Sequence, residues 1–212
     1  LNGIKNTGTI SYKENINLNI GEIDSELGNI TSLGDINIKN SANLANNKIQ
    51  SIGDVVIDTT GSLNNNGIII SNSNINIKSN TLVNEVGSTI WAGTDILIET
   101  LGKIYNKLLA TIEAVGDVSL TAKSIVNEGG NIKSGKNMTL KANSIENKSN
   151  LTGELTINHE KIELLHIWKD IAINHWDRVI VTLPVITNNL YIKDKATISA
   201  GTDILIDAKT TI

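Results

Sequence analysis

The side chains best suited to binding or catalysis lie together in one stretch of the sequence, residues 158–197. All three histidines, two of the three tryptophans, the one proline and the one arginine fall within it. They are His159, His166, His175, Trp168, Trp176, Pro184 and Arg178. Most of the remaining chain is built from Asn, Ile, Leu, Val, Ser, Thr and Gly. We therefore expect any specialised chemistry in this stretch.

A metal or catalytic centre is not predicted from these residues. The histidines are separated by 7 and 9 positions, which is wider than the close ligand pairs of structural zinc motifs, and the chain has no cysteine. His175 and Asp177 could form an acid–base pair because histidine titrates near neutral pH. No nucleophile motif and no glycine-rich phosphate loop accompanies them. We predict no catalytic residue, no metal and no cofactor.

Binding is the other chemistry that this stretch supports. Trp168, His175, Trp176 and Arg178 are the candidate binding residues, since aromatic and guanidinium groups often carry much of the energy of an interface. The alternative is that the tryptophans only cover apolar surface of the protein. Either role depends on the elements that hold these residues in place.

The composition limits the class of protein. The 212 residues include 22 acidic and 18 basic side chains, for a net charge of −4, so no nucleic-acid partner is predicted. No apolar run is long enough to span a membrane. Aromatic residues make up 3% of the chain although 40% is hydrophobic. The core is therefore expected to consist of many similar aliphatic layers.

A repeat of about twenty residues runs along most of the chain. It is clearest in TIWAGTDILIET at 89–100 and TISAGTDILIDA at 197–208. Each unit has a marker residue followed by two alternating apolar residues, usually with an isoleucine five positions before it and an apolar-x-Asn pair about nine positions after it. The markers are Asn15, Asp35, Asp54, Asn74, Asp95, Asp117, Asn137, Glu154 and Asp203.

This pattern predicts an all-β fold. Alternating apolar and polar residues favour strands with one buried face, and Gly, Asn, Ser and Asp between them favour turns. A single unit cannot bury its apolar face, whereas stacked units can. We predict a right-handed parallel β-helix, that is, a solenoid with about 20 residues per coil.

The repeated polar residues have structural interpretations. The asparagines are predicted to stack at one corner and form a ladder of side-chain hydrogen bonds, or alternatively to act singly as turn residues. The regularly spaced aspartates belong to the turn before each strand, where a turn cap is favoured over a calcium ligand. The ladder residues are Asn46, Asn65, Asn84, Asn106, Asn127 and Asn147.

The stretch rich in histidine and tryptophan interrupts the repeat. We predict one domain with coils over 1–157, an insertion over 158–197 and coils again over 198–212. The insertion fits a helix, with apolar residues at helical spacing, or strands, since 178–183 is rich in β-branched residues; we favour strands. Both termini fall inside coils, which predicts an internal piece of a longer protein.

The repeats resemble those of filamentous haemagglutinin exoproteins. The resemblance is carried by TIWAGTDILIET, TISAGTDILIDA, GDVVIDTTGSLNNNGIIIS at 53–71 and GDVSLTAKSIVNEGGNIKSG at 116–135. That family includes adhesins, haemolysins and contact-dependent growth-inhibition toxins that Gram-negative bacteria secrete by the two-partner route. The resemblance implies a secreted or cell-surface location, an outer-membrane transporter as a partner during secretion, and an excursion made of strands.

The function that follows is a structural and adhesive stalk segment of a large exoprotein. It would project a receptor-binding or toxin-carrying region, and its partner would be a receptor or glycan on a host or neighbouring cell. The alternative is a β-helical glycan-processing enzyme whose site is lined by the insertion. That alternative requires outward-facing carboxylates gathered on one face of the solenoid.

Overall fold

Strands are the only regular elements of the described structure, which contains no helix and thus no helix that could cross a membrane. The computed structural model describes residues 3–152, 155–169, 174–188 and 191–211, with side chains placed in 3–149 and 194–210. In chain order the strands are β1 (Ile4–Lys5), β2 (Thr9–Tyr12), β3 (Ile16–Ile20), β4 (Ile23–Ser32), β5 (Ile36–Asn40), β6 (Leu44–Ser51), β7 (Val55–Thr59), β8 (Ser62–Ser71), β9 (Ile75–Ser79), β10 (Thr81–Asn84), β11 (Thr89–Ala92), β12 (Ile96–Thr100), β13 (Lys103–Asn106), β14 (Thr111–Ala114), β15 (Val118–Thr121), β16 (Ser124–Glu128), β17 (Asn131–Ser134), β18 (Met138–Lys148), β19 (Asn150–Thr152), β20 (Leu155–Lys169), β21 (Asn174–Asn188), β22 (Tyr191–Asp194), β23 (Thr197–Ala200) and β24 (Ile204–Thr211).

The chain divides into two compact units. The first consists of Leu1–Asn150 together with Asp194–Ile212, and the second of Leu151–Lys193. The first unit is a parallel β-solenoid in which each coil adds one strand segment to each of three stacked faces. This confirms the prediction of an all-β parallel solenoid with about 20 residues per coil.

The three faces follow one another along every coil. Face A begins after each marker residue and contains β3, β5, β7, β9, β12, β15 and the first parts of β18 and β24. Face B carries the apolar-x-Asn pairs and contains β1, β10, β13, β16, the first parts of β4, β6 and β8, and the last parts of β18 and β24. Face C contains β2, β11, β14, β17, β23 and the last parts of β4, β6 and β8.

The core consists of aliphatic columns that run from coil to coil. In face A, Ile98 lies between Ile77 and Leu120 and is fully buried. Burying such a side chain stabilises the fold by about 1.5–3 kcal/mol relative to leaving it exposed, so stability accumulates with each added coil. The column of face C is isoleucine at every level: Ile10, Ile30, Ile49, Ile69, Ile90, Ile112, Ile132 and Ile198.

The marker residues join successive coils at the corner between faces C and A. Asp54 Oδ1 accepts hydrogen bonds from the backbone N–H and the side-chain amide of Asn74, both at 3.0 Å. Asp95 Oδ1 likewise accepts from the backbone N–H of Asp117 at 2.7 Å. A carboxylate or amide oxygen at this position satisfies a backbone donor of the next coil, which explains why Asp or Asn recurs once per coil.

The sequence pattern did not predict one face B segment. Ile4 pairs with Ile23 and Ile23 pairs with Leu44, so a face B segment beginning at Ile23 lies between the two apolar-x-Asn pairs predicted at Ile4 and Leu44. Ser25 occupies the asparagine position of this segment. The segment was missed because serine stands where the other coils have the asparagine of the apolar-x-Asn pair.

The sequence predicted a further coil after the one marked by Asn137, with Leu155 and Ile157 as its apolar residues. That prediction is wrong. Met138 of face A is followed in the stack by Ile204. Leu155 and Ile157 instead belong to β20, which pairs antiparallel with β21. The marker proposed for that coil, Glu154, lies outside the described residues.

The second unit contains a long antiparallel hairpin. Strands β20 and β21 are paired from Leu155–Asn188 at one end to Lys169–Asn174 at the other. A separate two-stranded sheet joins β19 to β22. From the sequence we predicted an insertion over 158–197, whereas this unit covers Leu151–Lys193. The earlier start reflects strand pairing that begins before residue 158.

Candidate functional site: the strand hairpin and its base

The four candidate binding residues lie near the turn end of the hairpin. Trp168 pairs with His175, and Trp176 and Arg178 follow one and three positions further along the register, opposite residues 167 and 165. Residues 170–173, between the two strands, and the side chains of all four candidates lie outside the part that the structure describes. The backbone register therefore gathers these residues within a short distance along the ribbon.

The same register distributes the candidates over two faces of the ribbon. Directly paired residues share a face, and successive residues of a strand alternate between faces. Trp168 and His175 form one pair and share one face. Trp176 and Arg178 are two residues apart on β21 and share the other face. The sequence alone placed all four in one stretch but did not separate them into these two pairs.

Two residues of the solenoid, Ser149 before the excursion in sequence and Ala196 after it, bond to each other, and we call them the base. The backbone N–H of Ala196 donates to Ser149 Oγ at 3.0 Å. On either side of this contact, the carbonyl of Lys148 accepts from Gly129 N–H at 2.9 Å and the N–H of Thr197 donates to Gly130 O at 2.9 Å. The two chain segments of the base thus continue the coil below residues 129–130.

The predicted ladder residues occupy the corner between faces B and C, the corner from which the excursion leaves. Except in Asn147, where the ladder ends, each Nδ2 donates to the Oδ1 of the asparagine one coil further along. The distances are 2.9 Å from Asn46 to Asn65, 2.7 Å from Asn65 to Asn84, 2.8 Å from Asn84 to Asn106, 2.8 Å from Asn106 to Asn127, and 2.8 Å from Asn127 to Asn147. Most of these amides are fully buried.

The second hydrogen of each amide secures the turn itself. Asn106 Nδ2 donates to the carbonyls of Ala110 and Asn131, each at 3.1 Å. At the base of the excursion, Asn127 Nδ2 donates to Gly130 O at 3.0 Å and to Thr197 O at 3.1 Å. Buried amides that bond both to each other and to the backbone fix the corner in one geometry. This corner therefore holds the point at which the chain departs and returns.

A charged cluster around Tyr105, which sequence reasoning missed, lies beside the base. The Tyr105 hydroxyl donates to a carboxylate oxygen of Glu128, and Lys103 Nζ lies 3.8 Å from the ring centroid. Lys148 forms ion pairs with Glu128 at 3.6 Å and with Glu146 at 3.5 Å. Because Lys148 directly precedes the base, the cluster ties the outgoing strand to face B.

The Tyr105–Glu128 hydrogen bond shifts both pKa values. Donation to Glu128, with some burial, raises the pKa of Tyr105 to about 12. The same bond lowers the pKa of Glu128. A neutral phenol donating to an ionised carboxylate is favoured from both sides. The pair therefore does not exchange a proton at neutral pH and its role is structural.

The described residues hold no metal-ligating group of three or more His, Cys, Asp or Glu side chains. The regularly spaced acids are engaged at the corner between faces C and A, where Asp35, Asp54, Asp95 and Asp117 each accept from the next coil. Hydrogen bonds from Ser73 and from the backbone of Asn74 lower the pKa of Asp54. These carboxylates are used in stacking.

Similarity to known proteins agrees with this architecture. The haemagglutinin repeat family matches residues 3–107 and 109–160, well over half of the chain. Filamentous hemagglutinin of Bordetella pertussis is 37% identical over 75 residues, a match that covers 35% of this chain and 2% of that protein. No solved structure matches the chain significantly. The chain belongs to the haemagglutinin repeat family.

Proposed function

We propose that the chain is a structural and adhesive stalk segment of a large secreted surface exoprotein. The observation that carries this proposal is the unbroken stacking of coil on coil, with one isoleucine column continuing from Ile10 to Ile198. Each coil adds one strand spacing of about 4.8 Å to a rod held by buried side chains. Such an element lengthens by one strand spacing with each coil and does not require a catalytic centre.

The relationship to a filamentous hemagglutinin supports adhesion as the purpose of the stalk. The chain spans about 2% of that relative's length, which suits one segment of a long display structure. In this proposal the complete protein is secreted to the bacterial surface through an outer-membrane transporter. It presents a receptor-binding or toxin-carrying region to a host or neighbouring cell.

Within this segment we assign cell contact to the turn end of the hairpin. Trp168 and His175 on one face, with Trp176 and Arg178 on the other, combine apolar and cationic groups at the far end of a ribbon of fifteen residue pairs. Such groups dominate binding energy in many interfaces. The partner is a receptor or glycan on the surface of another cell.

Attachment of the purified, fluorescently labelled chain to bacterial and epithelial cells tests this proposal. Changing Trp168, His175, Trp176 and Arg178 together to Ala is expected to abolish attachment and leave the melting temperature nearly unchanged. The matched control is His159→Ala with Lys161→Ala, two changes in the same ribbon nearer its base, which should attach like the unmodified chain.

Two results would contradict the assignment. Full attachment by the quadruple variant would place binding elsewhere on the chain. Lost attachment accompanied by a large fall in melting temperature would show that these residues serve packing. Both readouts are therefore needed on the same preparation.

A further inference from the structure

Face C carries a group of apolar residues on its outer surface. Ile69 and Ile90 of this face are fully buried, so their neighbours Ile68, Ile70 and Trp91 point outward, because side chains alternate along a strand. Trp91 lies beside Ile70 in the register of adjacent coils, and all three outward side chains are partly exposed. We call Ile68, Ile70 and Trp91 the face C patch.

The rest of the outer surface of face C is polar. Every other outward residue on its paired strands is Thr, Ser, Asn, Gln, Lys or Glu. The inward isoleucine column is complete without the face C patch, so packing of the core does not explain why these residues are apolar. Contiguous apolar patches with a polar rim mark interaction sites on many soluble proteins. The patch therefore indicates a surface that a partner covers.

Two opposite charges flank the face C patch, one coil beyond it on either side. Lys48 lies one coil before Ile68, and Glu113 lies one coil after Trp91. Within the part of the chain that the structure describes, neither Lys48 nor Glu113 forms an ion pair. A second copy of the surface with its coils in reverse order would present the opposite charge at each of these two levels.

We propose that face C binds a second copy of this chain, with the two solenoids antiparallel. A two-fold axis that runs along the strands, between the coils of Ile70 and Trp91, brings the same surface of both copies together, as in a symmetric dimer. Trp91 then lies over the partner's Ile70, and Lys48 lies at the level of the partner's Glu113. Because the axis repeats every contact, the dimer has two apolar contacts and two ion pairs of this kind.

Parallel pairing of the two copies does not satisfy these charges. In that arrangement each coil faces the same coil of the partner, so Lys48 comes to the level of the partner's Lys48 and Glu113 to that of the partner's Glu113. Like charges placed together across an interface are unfavourable. Both arrangements keep the strands of the facing sheets aligned, as packed sheets require. The charges therefore decide in favour of the antiparallel dimer.

The size of face C predicts weak association. Its coils run from β2 to β23, eight in all, and each contributes about four residues. Spacings of about 4.8 Å between strands and about 3.3 Å between residues give a surface of roughly 38 by 13 Å. Two copies would bury about 1,000 Å² in total, which is near the lower limit for a specific interface. We expect a dissociation constant in the micromolar range.

Sedimentation velocity of the full chain over a wide range of concentrations tests the proposal. The unmodified chain should pass from monomer to dimer. Lys48→Glu should raise the dissociation constant roughly tenfold, because two attractive pairs become repulsive, and Glu113→Lys should do the same. The chain with both changes should dimerise again, since the exchange restores opposite charges across the interface. The control, Lys39→Glu with Asp58→Lys, exchanges charges on face A and should dimerise like the unmodified chain.

Trp91→Lys tests the apolar part of the contact. It should abolish the dimer, with little change in melting temperature because the side chain faces outward. The proposal is overturned if the unmodified chain stays monomeric at every concentration, or if Trp91→Lys dimerises normally. Failure of the Lys48→Glu, Glu113→Lys exchange to restore the dimer would also overturn it, since the antiparallel register requires these residues to face each other. The charge exchange remains decisive even where Trp91→Lys lowers stability.

Discussion

The backbone N–H of Ala196 donates a 3.0 Å hydrogen bond to Ser149 Oγ, although 47 positions separate the two residues. The coil above this contact bonds to both segments, through Gly129 to the outgoing strand and through Gly130 to the returning one. The chain therefore leaves the solenoid and returns to it at a single corner. In the sequence, residues 151–193 therefore fall between two segments of one coil.

This relationship predicts that the excursion can be removed. Replacing residues 151–193 by a short Gly/Ser turn should leave the solenoid folded, because Asn127 and Ser149 can still hold the two chain segments together. Circular dichroism should retain the β-type spectrum and the thermal transition should stay cooperative. Loss of the β signal in this deletion would show that the coils depend on the excursion.

The amide ladder has one gap that a substitution can fill. Asn6 Nδ2 reaches Ser25 Oγ at 2.9 Å, but Asn46 Oδ1, one coil further on, is buried without a partner among the described residues. Ser25→Asn supplies a donor there and should raise the free energy of unfolding by about 1 kcal/mol, because an unsatisfied buried acceptor costs about 1–3 kcal/mol. Guanidinium denaturation measures the change.

The matched control for the ladder is Asn84→Ala. Asn84 accepts from Asn65 and donates to Asn106, so its removal leaves polar groups unpaired on both sides and should lower the midpoint of denaturation. A Ser25→Asn variant that is less stable than the unmodified chain would contradict the account, since it would mean that the position cannot hold an amide.

Two threonines at the same corner should respond in opposite directions to the same change. Thr59 and Thr100 are both buried. The Thr59 hydroxyl donates to Ala42 O and accepts from Gly61 N–H, whereas Thr100 Oγ1 has no partner among the described residues. Thr100→Val should raise the melting temperature and Thr59→Val should lower it, each by an amount equivalent to about 1–2 kcal/mol. A stability loss in both variants would show that the Thr100 hydroxyl is satisfied in solution.

The pKa of Tyr105 gives a prediction at alkaline pH. Its folded-state value of about 12 lies above the ordinary 10.0, so the stabilisation it provides is complete below pH 10 and is lost as the pH rises through about 12. The tyrosinate absorbance of the chain, minus that of Tyr105→Phe, should titrate with a midpoint near 12. Glu128→Gln should move that midpoint down. A midpoint near 10 in the unmodified chain would contradict the hydrogen bond.

The stacked core was predictable because its signal is repeated. Ile90 and Ile198 recur five positions before their markers, and each inward position in the stack requires an apolar side chain on every coil. Alternation alone does not distinguish parallel from antiparallel pairing. For that reason the alternation at Leu155 and Ile157 led to the prediction of a further coil, although both residues belong to the hairpin.

Features built from outward-facing residues were not predictable in the same way. The contacts of Tyr105 with Lys103 and Glu128 join neighbours on one coil and the next, and none of these identities recurs along the chain. The charged residues Lys39 and Asp58 occupy the same register position on successive face A strands, yet they carry opposite charges. These positions face solvent, so packing of the core does not require the same type of residue there on every coil.

The central claim, that each coil stacks in register on the last, is tested most directly by electron–electron distances between spin labels. The chain has no cysteine, so Leu33→Cys with Val115→Cys labels two exposed corner positions that follow residues four coils apart in the face C register. The account predicts a narrow distribution centred near four strand spacings, about 19 Å. Moving the first label to Lys13, one coil further away, should lengthen the distance by about 4.8 Å. A broad distribution, or no increase with the added coil, would contradict the stacked register.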